Sequence, residues 1–224
     1  MAYAQTTMKR LYDLSHTIEH GMITYKGLPA PLICDYLSRE DSKKNYTEGT
    51  SFQIGKIEMV SNTGTYVDVP FHRYEDGKDL NDVALERFVN IPAVVVATRE
   101  MSIGPDVFAK YDVKGKAVLV NTGWSKHWRT DQYFENHPFL TEAAAEYLKE
   151  NGAKLVGIDS HNIDDTRTKS RPVHTVLLRA EILIVEHLCN LDGLPTGDLF
   201  FTAVPPKFKG VGTFPVRAFV STTQ

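Results

Sequence analysis

The sequence predicts an α/β fold, a single domain with a mixed β-sheet, and three observations carry that prediction. Segments rich in β-branched residues recur from end to end, at residues 54–60, 91–97, 117–120, 155–158, 182–185 and 216–220. Helical patterns alternate with them, as expected where strands and helices share one core. No repeat, low-complexity tract or Ser/Pro/Gly linker divides the chain, so residues 1–224 are expected to form one unit.

The strongest helical pattern is TEAAAEYLKEN at 141–151, where Thr141 can cap, Glu142 sits in the first turn and Gly152 can terminate. It leads straight into the strand at 155–158. Residues 105–110, ahead of the strand at 117–120, form a shorter unit of the same kind. The polar stretch SREDSKKNYTEGT at 38–50 reads as a solvated loop.

With 42% hydrophobic and 24% charged residues, the 224-residue chain can build a core, which argues against intrinsic disorder. Its 25 Lys and Arg against 28 Asp and Glu leave no positive excess for a phosphate backbone or an anionic bilayer. Nucleic-acid and membrane partners are therefore not expected, and a small-molecule substrate is. Cys34 and Cys189 are too few for a disulfide framework. The first twenty residues hold no apolar run of signal-peptide length, and no 18-residue apolar stretch occurs, so the expected compartment is the cytoplasm.

Three segments carry chemistry. In SNTGTYVDVPFH at 61–72, Asp68 and His72 stand four apart, but Pro70 between them disfavours a helix, so only an irregular turn would bring them together. Local turn hydrogen bonding is the plainer alternative. GIDSHNIDD at 157–165 follows an apolar strand, where α/β sheets present functional side chains, and offers Asp159, His161, Asp164 and Asp165. Asp159 and Asp164 could equally cap a turn or a helix. Finally, His174 opens HTVLL, and Glu186 ends the apolar run ILIV, where a buried carboxylate requires a cation or hydrogen-bond donors. An ion pair with Arg171 or Arg217 would also satisfy it. These clusters point to a metal or acid–base site without choosing between the two.

Read together, these segments resemble the cyclase family of metal-dependent hydrolases, which includes bacterial kynurenine formamidases and isatin hydrolases. The resemblance spans YDLSHTIEHGMITYKGLP, the segment at 61–72, NTGWS at 121–125, HPFLTEAAAEYL at 137–148, GIDSHNID, HTVLL, IVEHLCNLDGL and FPVRAF. The family signature H-x-G-T-H-x-D-x-P-x-H is matched at Gly64, Thr65, Asp68, Pro70 and His72. Asn62 and Tyr66 stand in place of its first two histidines.

The resemblance implies a swivelling β/β/α fold, assembly into a homodimer or larger homo-oligomer, and a metal held by Asp68, His174 and Glu186, with His72 as general acid/base. Dinuclear relatives use the two missing histidines for another ion. An Asn carbonyl oxygen and a phenol with a pKa of about 10 are poor substitutes for imidazole. One divalent metal per chain, Zn or Mn, is therefore expected. The implied function is hydrolysis of an N-formyl or cyclic amide, arylformamidase-like, with a metal-activated water and a His proton shuttle. The alternatives are a metal-dependent lyase or cyclase acting on a carbonyl substrate, and a non-catalytic binder that has lost part of the site. Tyr25 stands where formamidases line the substrate pocket with an aromatic residue. Tyr66 and Asn62 are expected beside the substrate, and His161 as a substrate contact or extra ligand.

Overall fold

A computed structural model describes residues 10–222. In chain order its strands are β1 (Arg10–Asp13), β2 (Leu32–Leu37), β3 (Ile54–Glu58), β4 (Tyr66–Asp68), β5 (Ile91–Ala97), β6 (Ser102–Ile103), β7 (Ala117–Asn121), β8 (Phe139–Leu140), β9 (Leu155–Ile158), β10 (Leu183–Glu186), β11 (Leu199–Thr202), β12 (Thr213–Pro215) and β13 (Phe219–Thr222). The helices are α1 (Arg39–Ser42), α2 (Glu142–Glu150) and α3 (Pro172–Arg179). None of these is long and apolar enough to cross a membrane.

Nine strands form one mixed sheet in the order β1-β13-β11-β5-β7-β9-β10-β4-β12. Its centre, β5-β7-β9-β10, is parallel, and every outer pairing is antiparallel. The parallel arrangement follows from the connections: α2 carries the chain from β7 to β9 and α3 from β9 to β10, since a parallel pair needs a crossover. Side-chain alternation along these strands splits the core in two. Val118, Val120, Val156, Ile158 and Ile184 pack against Ala144, Ala145 and Leu148 of α2 and Val173, Leu177 and Leu178 of α3. Leu119, Leu155, Leu183 and Val185 face the opposite way, into a second core with Val67, Phe201 and Val220.

The α2 pattern folds as its residues dictate, with the Thr141 hydroxyl accepting from Ala144 N at 3.2 Å. Three expectations shift. Residues 105–107 make a single 3₁₀ turn, not a helix. The last strand is Phe219–Thr222, because residues 216–218 bond to loops instead, Val216 N to the Thr65 carbonyl and the Ala218 carbonyl to Leu14 N. The 38–50 stretch contains α1, where the Ser38 hydroxyl accepts from Asp41 N at 3.0 Å. Beyond the main sheet, β2 and β3 form a ribbon that leaves Tyr36, Ile54 and Ile57 exposed.

Candidate metal centre and substrate cavity

The site forms where β4, β10 and β12 meet the start of α3. In the sheet register Tyr66 lies opposite Glu186, while Asp68 lies opposite Ile184 on one side and Thr213 on the other. Ile184 packs on the helical side of the sheet, so by alternation Tyr66, Asp68, Glu186 and Thr213 face that side too. His174, in the first turn of α3, comes down onto them.

Asp164 sets the position of His174. Its carboxylate accepts from Val173 N at 2.8 Å and His174 N at 3.1 Å, capping α3 from outside the helix, and also engages His174 Nδ1 at 2.6 Å. A ring whose Nδ1–H is held by a carboxylate directs the Nε2 lone pair the other way. In that direction lie Asp68 Oδ2 at 3.6 Å and Glu186 Oε1 at 3.8 Å. Both distances are too long for hydrogen bonds. They approach the separation of about 3.3 Å between two atoms that are each ~2 Å from a common tetrahedral ion. Asp68 Oδ2 is fully buried and has no hydrogen-bond partner among the described residues. An orphaned buried carboxylate oxygen beside a second carboxylate and an imidazole nitrogen is a donor set that fits a divalent metal.

Electrostatics agree with the geometry. Burial works against charge on His174, but Asp164, Asp68 and Glu186 outweigh it and raise the pKa to about 10, so the surroundings strongly favour positive charge there. Burial, reinforced by Asp68, pushes Glu186 up to about 7 despite His174. Burial also acts to raise the pKa of Asp68, yet His72, His174 and Thr213 hold it below the usual carboxylate value.

Glu186 does not form an ion pair with Arg171 or Arg217. Its Oε1 accepts from Ile163 N at 2.7 Å, and its Oε2 from the Tyr66 hydroxyl at 2.5 Å and Asn162 Nδ2 at 3.3 Å. Arg217 instead pairs with Asp13 at 2.6 Å. Tyr66 is fully buried, and burial, followed by the charges of Glu186 and Asp68, raises its pKa well above 10. It therefore stays a neutral hydrogen-bond donor. With the Tyr66 proton committed to Glu186, and Asn62 contributing only an amide, these two residues make a poor second transition-metal site.

His72 follows β4 in a 3₁₀ turn that Pro70 begins, the irregular geometry that brings it back over Asp68. Its Nδ1 is 3.6 Å from Asp68 Oδ1 and 2.8 Å from the Thr213 hydroxyl, which also bonds Asp68. One ligand-type atom from each of Asp68, His72 and His174 lies within 4.8 Å of the others. Glu186 Oε1 stands 3.8 Å from His174 Nε2 but is not a member of that mutually close group.

A cavity of about 200 Å³ opens over this cluster. Tyr25, Asn62, Tyr66 and His72 line it, together with His174 and Glu186. His161 is not on its wall: it lies behind Tyr25, ring centroids 4.6 Å apart, among Phe134, His137 and His187. Asp159 and Asp165 also lie off the cavity wall. Asp159 accepts from Thr122 N and Gly123 N, both at 2.8 Å, and Asp165 bonds Arg167 at 2.9 Å. The sequence reading missed Thr213, which as a strand threonine gives no local signal, and Arg73, which shares the cavity wall with Arg171.

Comparison with known proteins agrees with this architecture. Residues 12–165 match the model of the family described as "Putative cyclase". A kynurenine formamidase of Geobacillus thermodenitrificans is 34% identical over 176 residues, covering 78% of this chain and 82% of that protein. A kynurenine formamidase of Bacillus anthracis is 29% identical, covering 93% and 95%. Among solved structures, a potential metal-dependent hydrolase with cyclase activity superposes with a TM-score of 0.79 at 26% identity, covering 97% of this chain and all of that one. Isatin hydrolase A from Labrenzia aggregata, at 23% identity, shares the fold with a TM-score of 0.81 over 96% and 94%. With more than half of its length matched to the family model, and a sheet that superposes on relatives almost end to end, this chain belongs to the cyclase family.

Proposed function

We propose that this protein hydrolyses the C–N bond of an N-formyl or cyclic amide carried on an aromatic substrate, using one divalent metal, Zn or Mn, held by Asp68, His174 and Glu186. The observation that carries this reading is the buried Asp68 Oδ2, without a hydrogen-bond partner among the described residues, facing His174 Nε2, whose side chain lines a cavity together with Tyr25 and Tyr66. A divalent ion in such a set supplies Lewis acidity and lowers the pKa of water toward ~7. The chain's own groups do the rest. Asp164 holds His174 in its ligating tautomer, and the Ile163 amide and the Tyr66 hydroxyl orient Glu186. His72 moves the proton from the nucleophile to the departing nitrogen. Tyr25 stacks against or encloses the substrate ring.

The kynurenine formamidases among its relatives support the formyl-amide substrate. Arg73 and Arg171 also border the cavity, and among the described residues neither is in a salt bridge, which favours a substrate that carries an anionic group. The cytoplasmic location and homo-oligomeric assembly expected from the sequence belong to the same proposal. The apolar side chains exposed on the β2–β3 ribbon support the assembly. The test is a screen of N-formyl aromatic amines, cyclic amides and lactones, with and without chelator. Chelator-sensitive release of formate or ring opening is expected. An enzyme that is inert toward all of them, or equally active after metal removal, would defeat the proposal.

A further inference from the structure

Among the described residues the His72 ring has one side-chain hydrogen-bond partner, and that partner decides which of its nitrogens is free. We infer that Thr213 is a positioning residue that locks His72 in its Nδ1–H tautomer, leaving Nε2 with the lone pair for proton transfer and withdrawing Nδ1 from metal binding. The inference rests on the hydrolase reading above and refines it.

A count of protons fixes the tautomer. The Thr213 hydroxyl sits between Asp68 Oδ1 and His72 Nδ1, bonded to the first and 2.8 Å from the second. It has a single proton to donate, and an ionised carboxylate only accepts. A carboxyl group of ordinary pKa, about 3.9, is ionised at neutral pH. The hydroxyl proton therefore goes to Asp68, and the contact with His72 is a hydrogen bond only if Nδ1 carries the other proton. The opposite tautomer would set two lone pairs against each other at 2.8 Å. Asp68 cannot replace the threonine, because Nδ1 to Oδ1 is 3.6 Å. Among the described residues no other group bonds the His72 ring.

The backbone is built for this contact. Thr213 is paired with Asp68 in the β12–β4 register, and Val69 N donates to the Gly212 carbonyl at 2.9 Å, docking β12 against the turn that carries His72. Gly212 comes so close that a Cβ there would stand 2.6 Å from His72 Cα and 2.8 Å from the Phe71 carbonyl carbon. A glycine followed by a hydroxyl residue is the pair that allows both the approach and the bond.

The test compares wild type with Thr213→Val, which keeps the shape without the hydroxyl, and Thr213→Ser, which restores it. Long-range ¹H–¹⁵N spectra of the zinc-loaded proteins at about pH 8 report the tautomer. His72→Gln identifies the signal. Wild type and Thr213→Ser are expected to show a protonated Nδ1, and Thr213→Val to lose it. Thr213→Ser should retain the wild-type zinc content, and Thr213→Val is compared after loading with excess zinc, because Thr213 also bonds Asp68. In Thr213→Val kcat should fall about 10-fold or more with KM within about 2-fold, less than the ~10²–10⁴ of removing the base, because a freed ring still visits the working tautomer. A protonated Nε2 in wild type, zinc bound to His72 Nδ1, or a protonated Nδ1 retained in Thr213→Val would overturn the inference. If Thr213→Val fails to fold, the wild-type and serine spectra still decide. A correct tautomer in a protein that turns over no amide would refute the hydrolase reading while leaving this inference standing, since the spectrum does not depend on turnover.

Discussion

Lowering the pH from about 7 to about 5 is expected to destabilise the wild-type protein by about 2 kcal/mol more than a His161→Phe variant. His161 is buried, only 3% exposed, and its surroundings depress its pKa to about 3: burial is the main cause, and the charges of His137 and Arg171 add to it. The unfolded chain has the ordinary value of about 6.5. Between those two values the unfolded state takes up a proton that the folded state refuses, so this contribution is intact above about pH 6.5 and is lost as pH falls toward 3. At pH 5 the unfolded imidazole is about 1.5 units below its pKa, and each unit corresponds to 1.36 kcal/mol, which gives about 2 kcal/mol. Phenylalanine is the suitable replacement because the site is already aromatic, with Tyr25, Phe134 and Tyr133 centroids at 4.6, 5.2 and 5.8 Å, and because buried Nδ1 has no partner to lose. Urea unfolding of both proteins at both pH values isolates this group from every other titration. A stability difference that is unchanged between pH 7 and pH 5, or that moves in wild type's favour on acidification, would refute the reasoning.

His72→Ala should leave metal content nearly unchanged while turnover drops by ~10²–10⁴, measured by elemental analysis beside steady-state kinetics, because a proton shuttle contributes only in the transition state. Asp164→Asn keeps an acceptor for the α3 amides but removes the charge that orients His174. Metal affinity should fall ~10–100-fold in competition with a chelator, with the fold retained by circular dichroism.

The parts of the fold legible in the sequence were those with strong local patterns. β7 and β9 are uninterrupted apolar runs because both faces are covered, and α2 announces itself through Thr141, a run of alanines and Gly152. The helix α3 was not legible: PVHTVLLR holds three β-branched residues in eight, and its cap, Asp164, lies well upstream in the chain. The short outer strands β1, β11 and β12 owe their existence to neighbours that local pattern does not reveal. Of the site, the turn-and-cap reading of Asp159 and Asp164 could be stated from sequence, but the partners of Glu186 could not. Tyr66 bonds it from 120 residues away, and only the family resemblance linked the two. His161 sits in a polar string, and nothing local shows the aromatic side chains that bury it.

A single metal per chain is expected, because Tyr66 and Asn62 are poor ligands for another. The most direct measurement is the number of tightly bound transition-metal ions per chain after exhaustive dialysis, with amide hydrolysis followed in the same samples before and after chelation. One equivalent is expected, removed by chelator together with turnover and restored together on adding back zinc or manganese, with greater uptake by the double variant Asn62→His, Tyr66→His. Two retained equivalents in wild type, or undiminished hydrolysis by the metal-stripped protein, would contradict it.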